Sequence, residues 1–227
     1  MLRNRFQACQ RIRTGAKRPT DLANSDPLEC WKVNQSLRSR SDSPAQHVKE
    51  QLQLWTVGHS TRGIEEFGQL LLSNGIKTLV DVRSFPGSRR YPQFNKPALS
   101  DFLRTLGIKY VHAPKLGGRR QPSARSHNTA WKNASFRAYA DYMESEEFKE
   151  GIGELINVAR TQRTAIMCAE SLWWRCHRSL IADYLKAGGA TVVHILDEKK
   201  TEVHPFTSVA RIVDGELSYR GLLPEES

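Results

Sequence analysis

Beyond Leu52 the apolar positions recur with two different periods. Leu54, Trp55, Thr56 and Val57 form a short apolar run that ends in Gly58-His59-Ser60-Thr61, the pattern of a buried strand and its turn. Ile64, Phe67, Leu70 and Leu71 then fall at helical spacing, and Asn74-Gly75 closes that helix as a C-cap. Thr78 to Val82 reads as a second strand. Pro97 opens a helix carrying Leu99, Phe102, Leu103 and Leu106, and Gly107 stops it. Ile108 to Val111 is a third strand. Phe136–Met143 and Phe148–Ala159 read as helices, the latter with Glu146, Glu147, Glu150 and Glu154 on a solvated face. Thr164 to Cys168 is a fourth strand, Leu180, Ile181, Tyr184 and Leu185 mark a helix ended by Gly188-Gly189, and Thr191 to Leu196 is a fifth strand. Asp214-Gly215 between Ala210–Val213 and Glu216–Tyr219 signals a hairpin.

Strands alternating with helices imply parallel pairing with helices on both sheet faces. The expected architecture is therefore α/β: a three-layer sandwich around a mostly parallel five-stranded sheet with a C-terminal hairpin, one domain over residues 51–222. Residues 1–50 lack either period, are rich in Arg, Ser, Gln and Asn, and read as a disordered tail. The first twenty contain no acid and several arginines, which equally fits a transit peptide or a start codon placed too far upstream. No apolar run approaches the roughly 20 residues a membrane span needs. Four scattered cysteines, Cys9, Cys30, Cys168 and Cys176, make no disulfide framework, so a reduced, cytoplasmic setting is expected.

Charge sharpens the picture once it is located. The net charge is +10, and residues 82–132 hold eleven Lys/Arg against one acid, Asp101. Residues 1–50 hold ten against five, so the rest of the chain is negative in sum. A basic surplus inside a folded region points to an anionic partner, with a solvated face as the plain alternative.

Ligands of open α/β sheets bind beyond the carboxyl ends of the strands. The residues expected there are His59 and Ser60, then Asp81 and Arg83, then His112, Lys115, Gly117, Gly118 and Arg119. The later strands add Cys168 and Glu170 with Cys176, His177 and Arg178, and finally His194 and Asp197. Each has a structural alternative. Gly58-His59-Ser60 also suits a turn with a helix cap, and Asp81 with Arg83 also suits a buried ion pair. Leu116-Gly117-Gly118-Arg119-Arg120 offers N–H groups and guanidinium forks to a phosphate, without the spacing of a Walker loop or dinucleotide fingerprint. Phe85, Tyr91, Phe94, Tyr110 and Trp131 interleave the basic stretch as base-stacking surfaces do, although Phe94 and Tyr110 also suit the core.

Cys168 to Arg178 is the densest segment. A cysteine between a strand end and a helix N-terminus is placed for thiolate chemistry, but the arginine of a phosphatase-type loop would fall at Trp174. Cys168, Cys176 and His177 contain no C-x-x-C pair and lack a fourth ligand, so no metal site is assigned. Cys168 also suits a small buried hydrophobe, and His177 a hydrogen-bonded core histidine.

Gly58-His59-Ser60, Asp81-Val82-Arg83-Ser84, Leu116-Gly117-Gly118 and Cys168-x-Glu170 with Cys176-His177-Arg178-x-x-Ile181-Ala182 together resemble the DUF488 family over residues 54–196. The resemblance implies a Rossmann-like α/β domain and no established reaction. Its motif residues carry over onto His59, Ser60, Asp81, Arg83, Gly117, Gly118, Cys168, Glu170, Cys176, His177 and Arg178. Many members have a proline-containing link before Cys-His-Arg where this chain has Leu172-Trp173-Trp174-Arg175.

The leading expectation is an enzyme acting on a nucleotide or nucleic acid. Glu170, Cys168, His59, Asp81 and His177 are its candidate catalytic residues. Ser60, Arg83, Lys115, Gly117, Gly118, Arg119, Cys176 and Arg178 are its candidate phosphate- or substrate-binding residues. The alternatives are a non-catalytic nucleic-acid-binding module working through residues 82–132 and a thiol redox or metal protein using Cys168 and Cys176. The sequence specifies neither a cofactor nor an oligomeric state.

Overall fold

The computed structural model describes residues 51–221. The tail expected over residues 1–50 lies outside the described residues, as does position 222. In chain order the elements are β1 (Gln53–Gly58), α1 (Ile64–Ser73), β2 (Thr78–Asp81), α2 (Lys96–Thr105), β3 (Lys109–His112), α3 (Ala134–Tyr142), α4 (Glu146–Ala159), β4 (Thr164–Cys168), α5 (Arg178–Ala187), β5 (Thr191–Ile195), β6 (Thr201–Val203), β7 (Arg211–Val213) and β8 (Glu216–Ser218). Short 3₁₀ turns sit at Pro92–Phe94, Pro114–Leu116 and Trp173–Arg175. No helix among the described residues is long and apolar enough to cross a membrane.

The main sheet runs β3-β2-β4-β1-β5-β6, all pairs parallel except β5 with β6. It is a roughly Rossmann-like α/β arrangement. All five expected strands form, and a sixth, Thr201–Val203, adds an antiparallel edge. Its three residues, flanked by Lys199 and Lys200, are too few to show a period.

Within the buried strands alternate residues serve opposite layers. Leu54, Val80, Ile166 and Val192 meet α4 and α5 through Phe148, Ile152, Leu180 and Ile181. Trp55, Val57, Leu79, Ala165 and Met167 meet α1 and α2 through Phe67, Leu70, Leu71, Leu99 and Leu103. Asp214 (φ 51°) and Gly215 (φ 83°) give the β7–β8 turn the positive φ angles a two-residue hairpin needs.

Helix α5 carries two charges into the interior, Arg178 (1% exposed) and Asp183 (0%). Arg178 Nη1 donates to Thr56 Oγ1 (3.3 Å), whose own proton goes to His194 Nδ1 (2.7 Å). His194 Nε2–H donates to His204 Nδ1 (2.8 Å), and His204 Nε2–H to Asp183 Oδ1 (2.9 Å). A carboxylate only accepts, so Asp183 fixes the tautomer of His204 and, through it, that of His194. Asp183 also accepts from the Thr207 amide (2.9 Å), Thr207 Oγ1 (2.6 Å) and Tyr219 Oη (2.8 Å). The chain after β6 and the hairpin are thereby tied to α5.

Two stability predictions follow from this line. Tyr219→Phe removes a bond to a buried carboxylate and should cost about 1.5–3 kcal/mol in urea denaturation. A result within a few tenths of wild type would show that Asp183 does not hold the hairpin. The second concerns acid. Burial first, then the neighbouring His204 and Arg178, push the His194 pKa down to about 2 from 6.5. The unfolded chain therefore takes up this proton first as pH falls. The stabilising contribution is complete above about pH 6.5 and is lost progressively toward pH 2, at up to about 1.4 kcal/mol per pH unit. Denaturation between pH 7 and pH 5 should show a steeper loss in wild type than in His194→Gln. Parallel slopes would refute it.

Candidate functional site

The loops after β1, β2, β3 and β4 enclose a crevice of about 640 Å³ at the carboxyl edge of the sheet. Its floor is built by close backbone approach. The His59 amide donates to the Cys168 carbonyl (3.0 Å) and the Ser60 amide to the Ala169 carbonyl (2.9 Å), which zips the two loops together. A Cβ on Gly58 would run into the Glu170 carbonyl oxygen, so only glycine fits there. Ser60 takes up the turn with φ 51°, a strained conformation of the kind functional loops retain. A smaller hollow of about 310 Å³, lined by Arg62, Glu66 and Asp197 among others, has Arg62 and Glu66 paired to each other (3.3 Å).

Asp81 lies beneath this floor, fully buried. It accepts from Arg83 Nε (2.9 Å) and Nη2 (2.6 Å), from the Arg83 amide (3.1 Å) and from Tyr110 Oη (2.7 Å). The carboxylate is thus saturated and does not line the crevice. Its place is that of a positioning residue for Arg83. The remaining edge of that guanidinium, Nη1, donates to His59 Nε2 (3.3 Å). His59 in turn donates from Nδ1 to the Ser60 carbonyl (3.0 Å) and stacks on Phe94 at 4.2 Å. Burial first, then the Arg83 charge, lowers the His59 pKa to about 4, so the ring is neutral and its lone pair is engaged.

Cys168, Cys176 and His177 meet in the crevice, their donor atoms within 4.8 Å of one another. His177 is the N-cap residue of α5. Its Nδ1 lies 3.9 Å from Cys168 Sγ and 3.6 Å from Cys176 Sγ, and its Nε2 lies 3.2 Å from the Val82 carbonyl. The Cys176 thiol is held below the ordinary thiol range, chiefly by a hydrogen bond from Cys168, with burial opposing and His177 and Arg178 assisting. Cys168 is correspondingly pushed up by that bond and by burial.

The glycine loop works by close approach. A Cβ on Gly118 would enter the His177 ring, and one on Gly117 would meet Ser84 Oγ. The Gly117 amide donates to Pro114 O (2.9 Å) and the Arg119 amide to Ser84 Oγ (3.2 Å), so these two N–H groups are already engaged rather than turned to a ligand. Arg119 reaches the rim, 5.6 Å from the Phe85 ring. Arg120 turns inward, donating to Gly117 O (3.1 Å) and Lys115 O (3.2 Å). Lys115 lies outside the crevice lining and pairs with Glu150 (3.1 Å) and Glu154 (2.8 Å) of α4, which are its anchors as well as a solvated face. Arg178 lies under the floor, donating to the Glu170 carbonyl, Ser171 O (3.3 Å) and Cys176 Sγ (3.5 Å). It shapes the loop from below.

Ser60, Arg83, Gly118, Arg119, Cys168, Glu170, Cys176, His177 and His59 therefore share one crevice, while Asp81, Lys115, Arg178 and Gly117 stand behind or beside it. Sequence reasoning missed Arg175 and Phe136, both in the lining. Arg175 ends the 3₁₀ turn after Leu172 and is exposed, and no periodicity marks so short a turn. Phe136 lies in the first turn of α3 at a position that reads as core.

A direct test of the glycine packing is Gly118→Ala. It should displace the His177 imidazole, visible as a shift of its NMR resonances, and cost about 1–3 kcal/mol of stability. Gly63→Ala, whose Cβ would meet only Glu65 Oε2 at 3.9 Å, should leave those resonances in place. An unmoved His177 in Gly118→Ala would contradict this packing.

Comparison with known proteins adds one finding. The family model described as "Domain of unknown function DUF488" matches residues 63–185, more than half of the chain. No curated protein and no solved structure matches it.

Proposed function

Given that the chain belongs to the DUF488 family, a domain of unknown function, we propose that it is an enzyme acting on a nucleotide or nucleic-acid substrate held in this crevice. The observation that carries the reading is a juxtaposition. The Cys168–Cys176–His177 cluster lies in the same crevice as three guanidinium groups, Arg83, Arg119 and Arg175, with Glu170 as the carboxylate of the lining. Such a charge balance favours a phosphate-bearing ligand. Phe85 is 71% exposed and lines the crevice beside Arg119, an arrangement suited to stacking a base while the guanidinium meets its phosphate.

In this reading Arg119 and Arg175 hold phosphate at the rim, and Arg83, held between Asp81 and His59, forms the deeper wall. Glu170, exposed at the crevice wall, acts as general acid or base, and the thiol–imidazole cluster is the reacting centre. His59 keeps Arg83 in place as a neutral partner.

The experiment is fluorescence anisotropy of labelled single-stranded and duplex oligonucleotides and of nucleotides with the full chain, at several salt concentrations. Arg119→Ala and Arg175→Ala should each weaken binding several-fold and reduce the salt slope by about one. Glu170→Gln should keep binding and lose roughly a hundredfold or more of turnover, read by mass spectrometry of the incubated substrates. Binding that ignores both arginine substitutions would overturn the proposal. Binding without turnover in wild type would leave the non-catalytic nucleic-acid module as the correct reading.

A further inference from the structure

The geometry of Cys168, Cys176 and His177 points to a metal site: we infer that these three residues bind one borderline-soft divalent ion, Zn²⁺ by preference, with its fourth position open to the crevice. The inference is independent of which substrate the crevice takes, and it supplies the chemistry of the reacting centre proposed above.

Three observations support it. The first is spacing. A tetrahedral zinc ion with Zn–S near 2.3 Å and Zn–N near 2.0–2.1 Å sets its ligand atoms roughly 3.6 Å apart for S and N and roughly 3.8 Å apart for two sulfurs. His177 Nδ1 lies 3.6 Å from Cys176 Sγ and 3.9 Å from Cys168 Sγ, and all three donor atoms fall within 4.8 Å.

The second is the tautomer. The Val82 carbonyl can only accept, so the proton of His177 sits on Nε2, 3.2 Å from that oxygen. Nδ1 is then an unprotonated lone pair facing two sulfurs. A cation between the three atoms meets that lone pair and both sulfurs at once. A carbonyl on the far nitrogen is also the usual outer partner of a ligating histidine.

The third is the surroundings. Arg178 Nε donates to Cys176 Sγ (3.5 Å), a bond that supports a thiolate ligand. Gly118 leaves the His177 ring its seat, and Tyr139 meets that ring edge-on at 5.1 Å. Both cysteines and the histidine line the crevice, so the fourth ligand comes from there as water or substrate. Two thiolates balance the charge of the ion, their protons leaving to solvent, and two sulfurs with one imidazole suit zinc better than magnesium or calcium.

The test uses the full chain, purified reduced and stripped with a chelator. Zn²⁺ titrated against a chromophoric competitor should bind at one per chain. Co²⁺ should give a thiolate-to-cobalt charge-transfer band in the near ultraviolet. Cys168→Ser, Cys176→Ser and His177→Ala should each lower Zn²⁺ affinity at least about a hundredfold, with circular dichroism confirming the fold. The Cys9→Ser/Cys30→Ser variant should bind as wild type. No Zn²⁺ uptake by the reduced chain, uptake that survives Cys168→Ser, or uptake lost with Cys9 and Cys30 would each overturn the inference. Failure here with intact oligonucleotide binding overturns the metal alone. Zn²⁺ uptake without oligonucleotide or nucleotide binding overturns the substrate reading alone.

Discussion

Burial of the Arg178 guanidinium is the constraint on which the rest of the structure turns. A cation at 1% exposure, in the first turn of α5, sits where the helix dipole disfavours it and where unpaired charge costs several kcal/mol. No carboxylate lies in its hydrogen-bond shell among the described residues. Its donors are met by the Glu170 and Ser171 carbonyls, the Thr56 hydroxyl and Cys176 Sγ. Meeting them dictates the path of the loop after β4. That path brings Cys168 at the strand end to the sulfur and imidazole at the start of α5. The balancing anion is Asp183, reached through Thr56, His194 and His204, so one line of hydrogen bonds links the crevice floor to the hairpin.

The arginines divide by what they touch. Arg62, Arg83, Arg120 and Arg178 spend donors on backbone carbonyls, on Asp81 or on Thr56, and each fixes a loop at the carboxyl edge of the sheet. Arg119 and Arg175 stay exposed in the crevice lining. The basic surplus of residues 82–132 is therefore not one surface. Part of it is internal scaffolding, and Lys115 is drawn off to Glu150 and Glu154. A smaller set remains to meet an anion, concentrated where the glycine loop and the 3₁₀ turn face each other.

This division explains how much was legible beforehand. The four inner strands β1, β2, β4 and β5 and their flanking helices were readable because alternate strand residues feed two separate cores, which makes each of them a largely apolar run, and the half-buried edge strand β3 followed from the Gly107 that stops the helix before it. β6 was not, because an edge strand of three residues makes no such run. At the site, the motif residues at the ends of β1, β2 and β4 do gather at one edge, as parallel topology requires. Their individual roles were hidden. Asp81 and Arg83 are two residues apart and pair, but the Tyr110 hydroxyl that completes the saturation of Asp81 comes from β3. Gly117 and Gly118 suggest a phosphate loop, while their close neighbours are Ser84 and His177 from other loops. The relay from Thr56 to Asp183 joins β1, β5, α5 and the segment after β6, and leaves no local pattern.

Sequence reasoning kept a metal at Cys168, Cys176 and His177 only as a lesser alternative, because the spacing lacks a C-x-x-C pair and a fourth ligand must come from afar. That rule describes ligands carried by one tight turn, which must be close in sequence to be close in space. Here the convergence is achieved differently. Parallel pairing places Cys168 opposite Gly58 at the end of β4, and Arg178 folds the next eight residues back over the same edge. Cys176 and His177, adjacent in sequence, then face Cys168 from the strand end, with the carbonyl of Val82, just after β2, fixing the imidazole. The loop that Arg178 holds brings the two cysteines to the same edge. A rule based on turn length has no purchase on such a site, whereas the hydrogen-bonding demands of a buried guanidinium account for it.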